Sequence, residues 1–395
     1  MIEKIKTRIK EKIISTLDSD YIRKSKQNPQ HVFIQNINKD YQIKAQKRAL
    51  VSYITLPILK DLDKDIAHTN YREFIQILHV LTKLNFNIDI CHYQDPNVSS
   101  SFNDKKYDLI IGSGEPFYDA CKLYPLSKKI LYCTVSYPKS QFDSTKERAN
   151  YYFERHGLKP GFYWHNYYPD EHFSCANYLF FKGNDEIKKT FLHLKNIQSF
   201  YPIISCPFKH ENSYTINRDI GTTKNNFLWF GSIGVIRKGL DILVDVFKKH
   251  QHLKLHIAGL TDEEKSTLPE FTSNIVNLGF VRLQSENFIK IMNSCSFIIF
   301  PSCSEGMASG ALTCMNHGLI PIITKECGID IDNSIGYLLD DYKYETIEEN
   351  ILNVSQLDNV QLNKKQNNVL KHTTANYNLE IFTNQIESYL NEIIN

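Results

Sequence analysis

The sequence predicts an α/β protein made of two doubly wound domains in tandem. Short apolar runs alternate with helical patterns along the 395-residue chain, which is typical of parallel sheets covered by helices on both faces. Residues 209–224 have almost no apolar content and interrupt this alternation, which then restarts. The length is sufficient for two domains of ordinary size. We therefore expect a first domain over 49–208, a linker over 209–224 and a second domain over 225–377.

Composition and cysteine content indicate a globular protein of a reducing compartment. Hydrophobic residues make up 42% of the chain, as in ordinary soluble domains. No apolar run approaches the about 18 residues that span a bilayer, and the charged start lacks a secretory apolar core. The nine cysteines are odd in number and show neither a CxxC pair nor zinc-like spacing. We expect free thiols and a cytoplasmic location, with peripheral contact at the inner membrane face left open.

Charge is placed unevenly along the chain. Residues 1–48 carry 12 Lys and Arg against 5 Asp and Glu, whereas the remainder carries 34 against 39. The main fold therefore lacks the basic surface of a nucleic-acid binder. Within the basic segment, apolar residues at helical spacing from Ile2 to Leu17 predict an amphipathic basic helix. This helix either packs on its own protein or contacts an anionic membrane surface, and the two are compatible.

The first domain is predicted from five apolar runs and the helical patterns between them. The strands are Ala49–Leu56, Phe86–Cys91, Tyr107–Ile111, Lys129–Val135 and Tyr178–Phe181. A helix over Tyr71–Leu84 would begin at a capping box formed by Asn70 and Glu73. Further helical patterns cover Tyr151–His156 and Asp185–Leu194.

Polar residues that follow these strands are candidates for a ligand-binding rim. His68, Gly112–Glu115 and Gly183-Asn184 each come after a strand, and ligands of parallel sheets bind at the carboxyl ends of strands. His68 is either structural or solvent-facing, or it faces the cleft and touches donor or acceptor; Glu115 is equally ambiguous. The aromatic run Tyr163–Tyr168 is either packing or an acceptor-side surface.

In the second domain and the final segment together, five strands and four helices are predicted. The strands are Phe227–Phe230, Leu253–Ala258, Ile275–Leu278, Ser296–Phe300 and Leu319–Thr324. The helices are Gly239–Lys249, Glu286–Asn293, Ala311–His317 and, in a final segment over 378–395, the amphipathic Asn378–Ile394. Gly318 stands where a helix C-terminal stop belongs.

Two glycine-punctuated loops of this domain indicate a phosphate-binding rim. The loop from Gly231 through Ser232 and Gly234 to Gly239 follows a strand and brings Arg237 and Lys238 to its rim. It contains neither a Walker A loop nor GxGxxG. Taken alone it is equally well a plain turn with solvated cations.

The second loop follows the strand Ser296–Phe300 and contains Glu305 and Gly306 before a helix. Amides at a helix N-terminus suit a phosphate. Glu305 alone could be a capping carboxylate on a surface loop. Together, the two loops suit a nucleoside diphosphate whose attached group offers hydroxyls to a carboxylate, as nucleotide sugars do.

The segments FLWFGSIGVIRKGLDILVDVF, LHIAGL and FIIFPSCSEGMASGALTCMNHGLIPIIT resemble the retaining GT-B glycosyltransferases of the large group-1 type, which are family-4-like. The resemblance covers the C-terminal half. It implies two Rossmann-like domains facing a cleft, with a nucleotide-sugar donor held mainly by the second domain. It also implies an acceptor-binding first domain and a last helix that crosses back onto it.

The resemblance also implies roles for residues. Lys238 and Arg237 would contact the donor diphosphate, and Glu305 matches the first glutamate of the E-x7-E motif, which contacts the donor sugar. Backbone amides around Ser309, Gly310, Ala311 and Leu312 would meet sugar and phosphates. Thr313 takes the place of the second glutamate, which usually holds the ribose, and Ser232 the place of a frequent arginine.

From these observations we expect a retaining transfer of a sugar from a nucleotide-diphosphate donor to an acceptor hydroxyl of a glycan or lipid-linked glycan of the cell envelope. Fixed cations would stabilise the leaving diphosphate, so no bound metal is expected. Two alternatives stay open: a nucleotide-sugar epimerase on the same fold, and a non-catalytic partner that has lost turnover.

Overall fold

The computed structural model describes residues 33–39, 47–55, 58, 69–95, 97–102, 105–160, 170–208, 218–283 and 285–395. The predicted helix over 2–17, His68 and the aromatic run 163–168 lie outside these ranges, as does most of the predicted linker. Within them the chain forms two sheets, one in each half.

The first half contains a seven-stranded sheet. Its strand order is β1-β3-β2-β4-β5-β6-β7, and every pairing is parallel except that of β1 with β3. The strands are β1 (Phe33–Ile34), β2 (Lys47–Tyr53), β3 (Phe86–His92), β4 (Leu109–Gly112), β5 (Lys128–Cys133), β6 (Tyr178–Lys182) and β7 (Ser199–Ile203). Its helices are α1 (Thr69–Lys83), α2 (Gly114–Leu123), α3 (Pro138–His156), α4 (Glu171–Ser174) and α5 (Asp185–Lys189), with a 3₁₀ turn at Val98–Phe102.

The second half contains a six-stranded, all-parallel sheet of order β10-β9-β8-β11-β12-β13. Its strands are β8 (Asn226–Phe230), β9 (Lys254–Ala258), β10 (Ile275–Asn277), β11 (Phe297–Phe300), β12 (Ile320–Thr324) and β13 (Tyr337–Leu339). The helices are α6 (Ile220–Thr223), α7 (Leu240–Lys249), α8 (Asp262–Lys265), α9 (Glu286–Ser294), α10 (Ser309–Met315), α11 (Tyr344–Ser355), α12 (Asn359–Asn376) and α13 (Leu379–Ile394), with a 3₁₀ turn at Lys325–Cys327.

Continuous apolar strands explain why both sheets are covered on two faces. All four residues of β11 and all five of β12 are buried, as expected for parallel strands between layers of helices. Gly318 follows α10 with φ +76°, a conformation that favours glycine, so the predicted helix stop is confirmed. The fold class predicted from the alternation is confirmed.

Two helices join the halves. The last helix, α13, packs on the first sheet beside α1 and buries Phe382, Ile386, Leu390 and Ile393 in its core. Helix α3 begins after β5 of the first sheet, yet Tyr152 near its end belongs to the core of the second half. The two halves therefore share helices as well as a cleft.

Several predicted elements differ from the observed ones. The capping box is wrong: Asn70 and Glu73 lie inside α1, and their side-chain oxygens accept hydrogen bonds from Lys182 of β6. The side-chain oxygens that a capping box would need are therefore bound by Lys182, a residue distant in the sequence. The helix predicted to extend to Leu194 ends at Lys189. The sequence analysis predicted no element at β7, α2, β13, α11 or α12.

No helix among the described residues is long and apolar enough to cross a membrane. All nine cysteines lie in the described ranges and are free thiols, eight of them buried.

Candidate functional site

A cavity of about 580 Å³ lies between the two halves. Seven of the predicted donor-site residues line it, all from the second half: Gly231, Ser232, Lys238, Glu305, Ser309, Gly310 and Thr313. The opposite wall comes from the first half, from the start of α1 and the ends of β5 and β6. The structure therefore brings the two predicted loops together, at the carboxyl ends of β8 and β11.

Glycines fix the course of the loop after β8. A Cβ at Gly231 would lie 2.4 Å from the Trp229 ring, and one at Gly239 would lie 2.6 Å from the Pro301 carbonyl oxygen. Gly234 and Gly239 have φ of +96° and +75°, which side chains rarely adopt. The Gly234 amide donates to Glu264 Oε1 at 2.5 Å, which anchors the loop to α8. Gly234 therefore shapes the loop and does not line the cavity.

Lys238 is a buried lysine at the wall of the cavity. Only 8% of the residue is exposed, and its Nζ lies 3.4 Å from Ser232 Oγ. Among the described residues it forms no ion pair. Burial lowers the pKa of Lys238 to about 8, although the charges of Glu305 and Glu264 act to raise it. A buried ammonium that faces a cavity is suited to an anionic ligand.

Arg237 and Glu305 are paired with each other. Arg237 Nη1 donates to Glu305 Oε1 at 2.8 Å and also to the Ser304 carbonyl oxygen. Ser302 Oγ donates to the same Glu305 oxygen at 3.1 Å. Glu305 lines the cavity, whereas Arg237 does not. The arginine predicted beside the diphosphate thus orients the carboxylate.

The Glu305 loop is joined to the first half by backbone contacts. Val135 and Gly306 form an isolated antiparallel bridge, and the Ser136 amide donates to the Glu305 carbonyl oxygen at 3.0 Å. A Cβ at Gly306 would lie 2.4 Å from the Thr134 carbonyl oxygen. Gly306 is therefore required by the close approach of the two halves.

Helix α10 presents part of its N-terminus to the cavity. Ser309 and Gly310 line it, and the first amides of a helix have no acceptor within the helix. The Leu312 amide donates to the Ala308 carbonyl oxygen at 3.0 Å, and the Ala311 and Leu312 side chains are buried in the core. The Leu312 amide is therefore already paired, whereas the predicted contact of the Ala311 amide with a ligand stays a prediction. Thr313 is buried, and its hydroxyl donates to the Ser309 carbonyl oxygen at 2.8 Å.

The first-half wall contains a buried charge pair that the sequence analysis missed. Lys182 Nζ donates to Asn70 Oδ1 at 2.6 Å and forms an ion pair with Glu73. Glu73 is fully buried and also accepts from the Cys206 amide at 2.8 Å. Lys182 and Asn70 line the cavity. A lysine that ends the apolar run YLFFK was the available signal, because a strand end points to the ligand-binding rim.

The rim contains two further side chains that were not predicted. Phe280, which is 80% exposed, and Arg282 line the cavity in the loop after β10. An exposed aromatic side chain beside a cation is suited to a planar group. Glu115, by contrast, places its Oε2 at 3.2 Å from His172 Nε2 and does not line the cavity.

Metal-ion binding has no candidate site among the described residues, because no group of three or more His, Cys, Asp or Glu side chains is placed to hold an ion. The cations that face or border the cavity are side chains of the protein.

A family model described as "Glycosyl transferases group 1" matches residues 224–356. That range contains both loops of the candidate site. Comparison with curated proteins finds no match.

Solved structures with the same fold cover most of the chain at low identity. Sucrose-phosphate synthase (tll1590) from Thermosynechococcus elongatus is 13% identical with a TM-score of 0.62, and Anabaena Alr3699/HepE, solved with UDP and glucose, is 13% identical with a TM-score of 0.55. Each comparison covers 88% of this chain and 99% of the other.

A mutant of S. aureus TarM, solved with fondaparinux, alpha-GlcNAc-glycerol and UDP, is 14% identical with a TM-score of 0.50. That comparison covers 82% of this chain but only 59% of TarM, so this chain spans little more than half the length of that relative.

The Glu73–Lys182 pair generates a stability prediction. Lys182→Met leaves the Glu73 carboxylate buried without its cation, so the free energy of unfolding should fall by about 3–5 kcal/mol. The double variant Glu73→Gln/Lys182→Met removes both charges and should regain most of that loss. Urea denaturation of the two variants and the wild-type chain measures both effects. If the double variant is as unstable as the single one, packing rather than the ion pair holds this wall.

The sequence, the two-sheet architecture and these comparisons lead to one conclusion: the chain has the GT-B fold, and residues 224–356 of its second half match the family model of group 1 glycosyl transferases.

Proposed function

We propose that this protein is a glycosyltransferase that moves a sugar from a nucleotide-diphosphate donor to an acceptor hydroxyl with retention of configuration. The observation that carries the proposal is Lys238, a buried cation with no close counterion among the described residues, at the wall of a cavity between two Rossmann-like halves. UDP in the structures of HepE and TarM supports a nucleoside diphosphate as the ligand.

Three sets of residues in the second half would each bind a different part of the donor. Lys238 and the amides of Ser309 and Gly310 would bind the diphosphate. Glu305 would accept hydrogen bonds from the sugar hydroxyls, with Arg237 and Ser302 holding its carboxylate in one orientation. Phe280 and Arg282 at the rim would border the nucleoside.

Bond cleavage at the anomeric carbon leaves negative charge on the departing diphosphate. A preorganised cation at that position lowers the barrier, because it needs no solvent reorganisation at the moment of reaction. The Glu305 loop contacts Val135 and Ser136 of the first half, and closure of the two halves at this contact would exclude water from the donor. Retention would require the acceptor to approach on the face that the diphosphate leaves.

The remaining parts of the proposal concern the acceptor and the metal. The first-half wall with Asn70 and Lys182 would face the acceptor, and a glycan or lipid-linked glycan of the cell envelope stays a prediction. Contact of residues 2–17 with a membrane also stays a prediction. Because Lys238 supplies the charge, we infer that transfer needs no divalent metal. An epimerase would convert donor alone, without an acceptor.

Donor binding without metal is the first test. Thermal unfolding of the chain with UDP-, GDP- and ADP-sugars should show a raised midpoint with at least one of them, because a ligand of the native state stabilises it. Chelation with EDTA should change neither that shift nor the rate of sugar transfer. NMR detects the transfer and gives the anomeric configuration of the product. The absence of a shift with every donor would contradict the proposal. Loss of transfer in EDTA that a divalent cation restores would contradict its metal-independent form.

Substitutions at the two loops test the site. Lys238→Met keeps the aliphatic stem but removes the charge, and Glu305→Gln keeps the shape but removes the carboxylate. Each should lower kcat/KM for transfer by about 10²–10³-fold, the scale of a lost transition-state contact. Lys254→Ala and Glu270→Ala, at exposed positions of the same half, are controls that should retain wild-type rates. Near-wild-type activity of both site variants would refute the assignment.

The pKa of Lys238 predicts how donor affinity depends on pH. Diphosphate favours the protonated lysine, so its affinity should be constant below about pH 8. Above that pH the free protein loses the proton, and affinity should fall by up to about tenfold per pH unit. Calorimetry with UDP between pH 7 and 10, above the second ionisation of the terminal phosphate at about pH 6, measures the profile, and Lys238→Met should give a flat one. A wild-type profile that stays flat to pH 10 would show that another group binds the diphosphate.

A further inference from the structure

We infer that Arg148 is a positioning residue for the donor loop, defined as Gly234–Gly239. It belongs to helix α3 of the first half and does not line the cavity. It acts through the backbone that holds Lys238. The inference rests on the proposed function, because it takes the donor loop to bind a nucleoside diphosphate.

Arg148 is buried completely and uses all three of its nitrogens. Its Nε and Nη2 donate to the Ile236 carbonyl oxygen at 3.3 and 3.1 Å. Nη1 donates to the Tyr342 carbonyl oxygen at 3.1 Å, and Nη2 also contacts Asp241 Oδ1 at 3.2 Å. The side chain has 0% exposure. One guanidinium thus joins the donor loop to helix α7 and to the segment before α11.

The Ile236 carbonyl is the point at which the donor loop closes. The Gly239 amide donates to the same oxygen at 3.1 Å, while the Lys238 amide donates to the Gly234 carbonyl oxygen at 2.9 Å. Arg148 therefore holds the peptide between Ile236 and Arg237 without lining the cavity itself. A shift of this peptide would move both Arg237, which holds Glu305, and Lys238.

Anchoring of α3 alone does not explain this geometry. Arg155 lies two turns further along the helix and forms ion pairs with Asp241 and Asp245. The Tyr152 hydroxyl donates to the Thr267 carbonyl oxygen at 2.8 Å. These contacts join α3 to the second half without touching the donor loop. Of the three side chains, Arg148 is the one that binds a loop carbonyl.

The same substitution at Arg148 and Arg155 separates positioning from anchoring. Lysine keeps the positive charge beside Asp241, but it cannot form the fork that reaches three acceptors. Arg148→Lys should raise the Kd for UDP, GDP or ADP, whichever the wild-type chain binds most tightly, by about tenfold or more. Arg155→Lys should leave that Kd unchanged, although both variants lose contacts with Asp241. Calorimetry gives Kd, and thermal unfolding of each variant shows that it is folded.

A double-mutant cycle with Lys238→Met measures whether Arg148 and Lys238 are coupled in diphosphate binding. A purely structural role of Arg148 would not produce such coupling. If Arg148 acts by placing Lys238, the losses in affinity from Arg148→Lys and Lys238→Met should be less than additive. Should Arg148→Lys fail to fold, the wild-type chain provides the measurement. Binding of the diphosphate should then slow amide hydrogen exchange in α3 around Arg148 as well as in the donor loop.

The outcomes are distinct. Three results would overturn the role of Arg148 but leave the proposed function intact, provided that the wild-type chain binds a diphosphate. They are an unchanged Kd in Arg148→Lys, an equal loss of affinity in Arg148→Lys and Arg155→Lys, and additive losses of affinity in the double-mutant cycle. Unchanged exchange in α3 on binding would do the same. Failure of the wild-type chain to bind any of the three diphosphates would overturn the proposed function and this inference with it.

Discussion

The close approach of the two halves at Gly306 is the contact on which the candidate site depends. Two parallel sheets present their carboxyl ends to a common cleft, but this alone leaves the distance between the walls open. The bridge of Val135 with Gly306 and the bond from the Ser136 amide to the Glu305 carbonyl oxygen set that distance. Because a side chain at 306 would meet the Thr134 carbonyl, a glycine is what lets Glu305 lie at the boundary between the halves.

Three buried cations near this boundary differ in whether a carboxylate lies close to them. Lys182 is neutralised by Glu73, and Arg148 by Asp241 and two carbonyls. Lys238 has no such partner among the described residues, and burial lowers its pKa to about 8. A paired lysine serves as an oriented hydrogen-bond donor, whereas an unpaired one attracts an anion. Under the proposed function, the diphosphate would bind at the wall of the second half and neutral hydroxyls at the wall of the first.

The sequence predicted what depends on local pattern. The buried run FIIF, the stop at Gly318 and the arrival of Lys238 and Glu305 at strand ends all follow from periodicity and from the rule that parallel strands share a ligand-binding edge. The pairs Lys182–Glu73, Arg237–Glu305 and Arg148–Asp241 join residues far apart in the chain. No periodicity encodes such a pairing. The capping box failed for the same reason, because Lys182 takes the oxygens of Asn70 and Glu73.

An unpaired buried cation has an energetic consequence for the fold. Keeping Lys238 protonated at neutral pH costs on the order of 3 kcal/mol relative to a lysine in water, given its pKa of about 8. That is a large part of the usual stability of a domain. Under the proposed function, a diphosphate would supply the negative charge and recover this energy on binding, which would add to its affinity. Without a fixed backbone, the Lys238 ammonium could move toward solvent and so avoid the cost of its burial. The contacts of Arg148 with the donor loop oppose that movement.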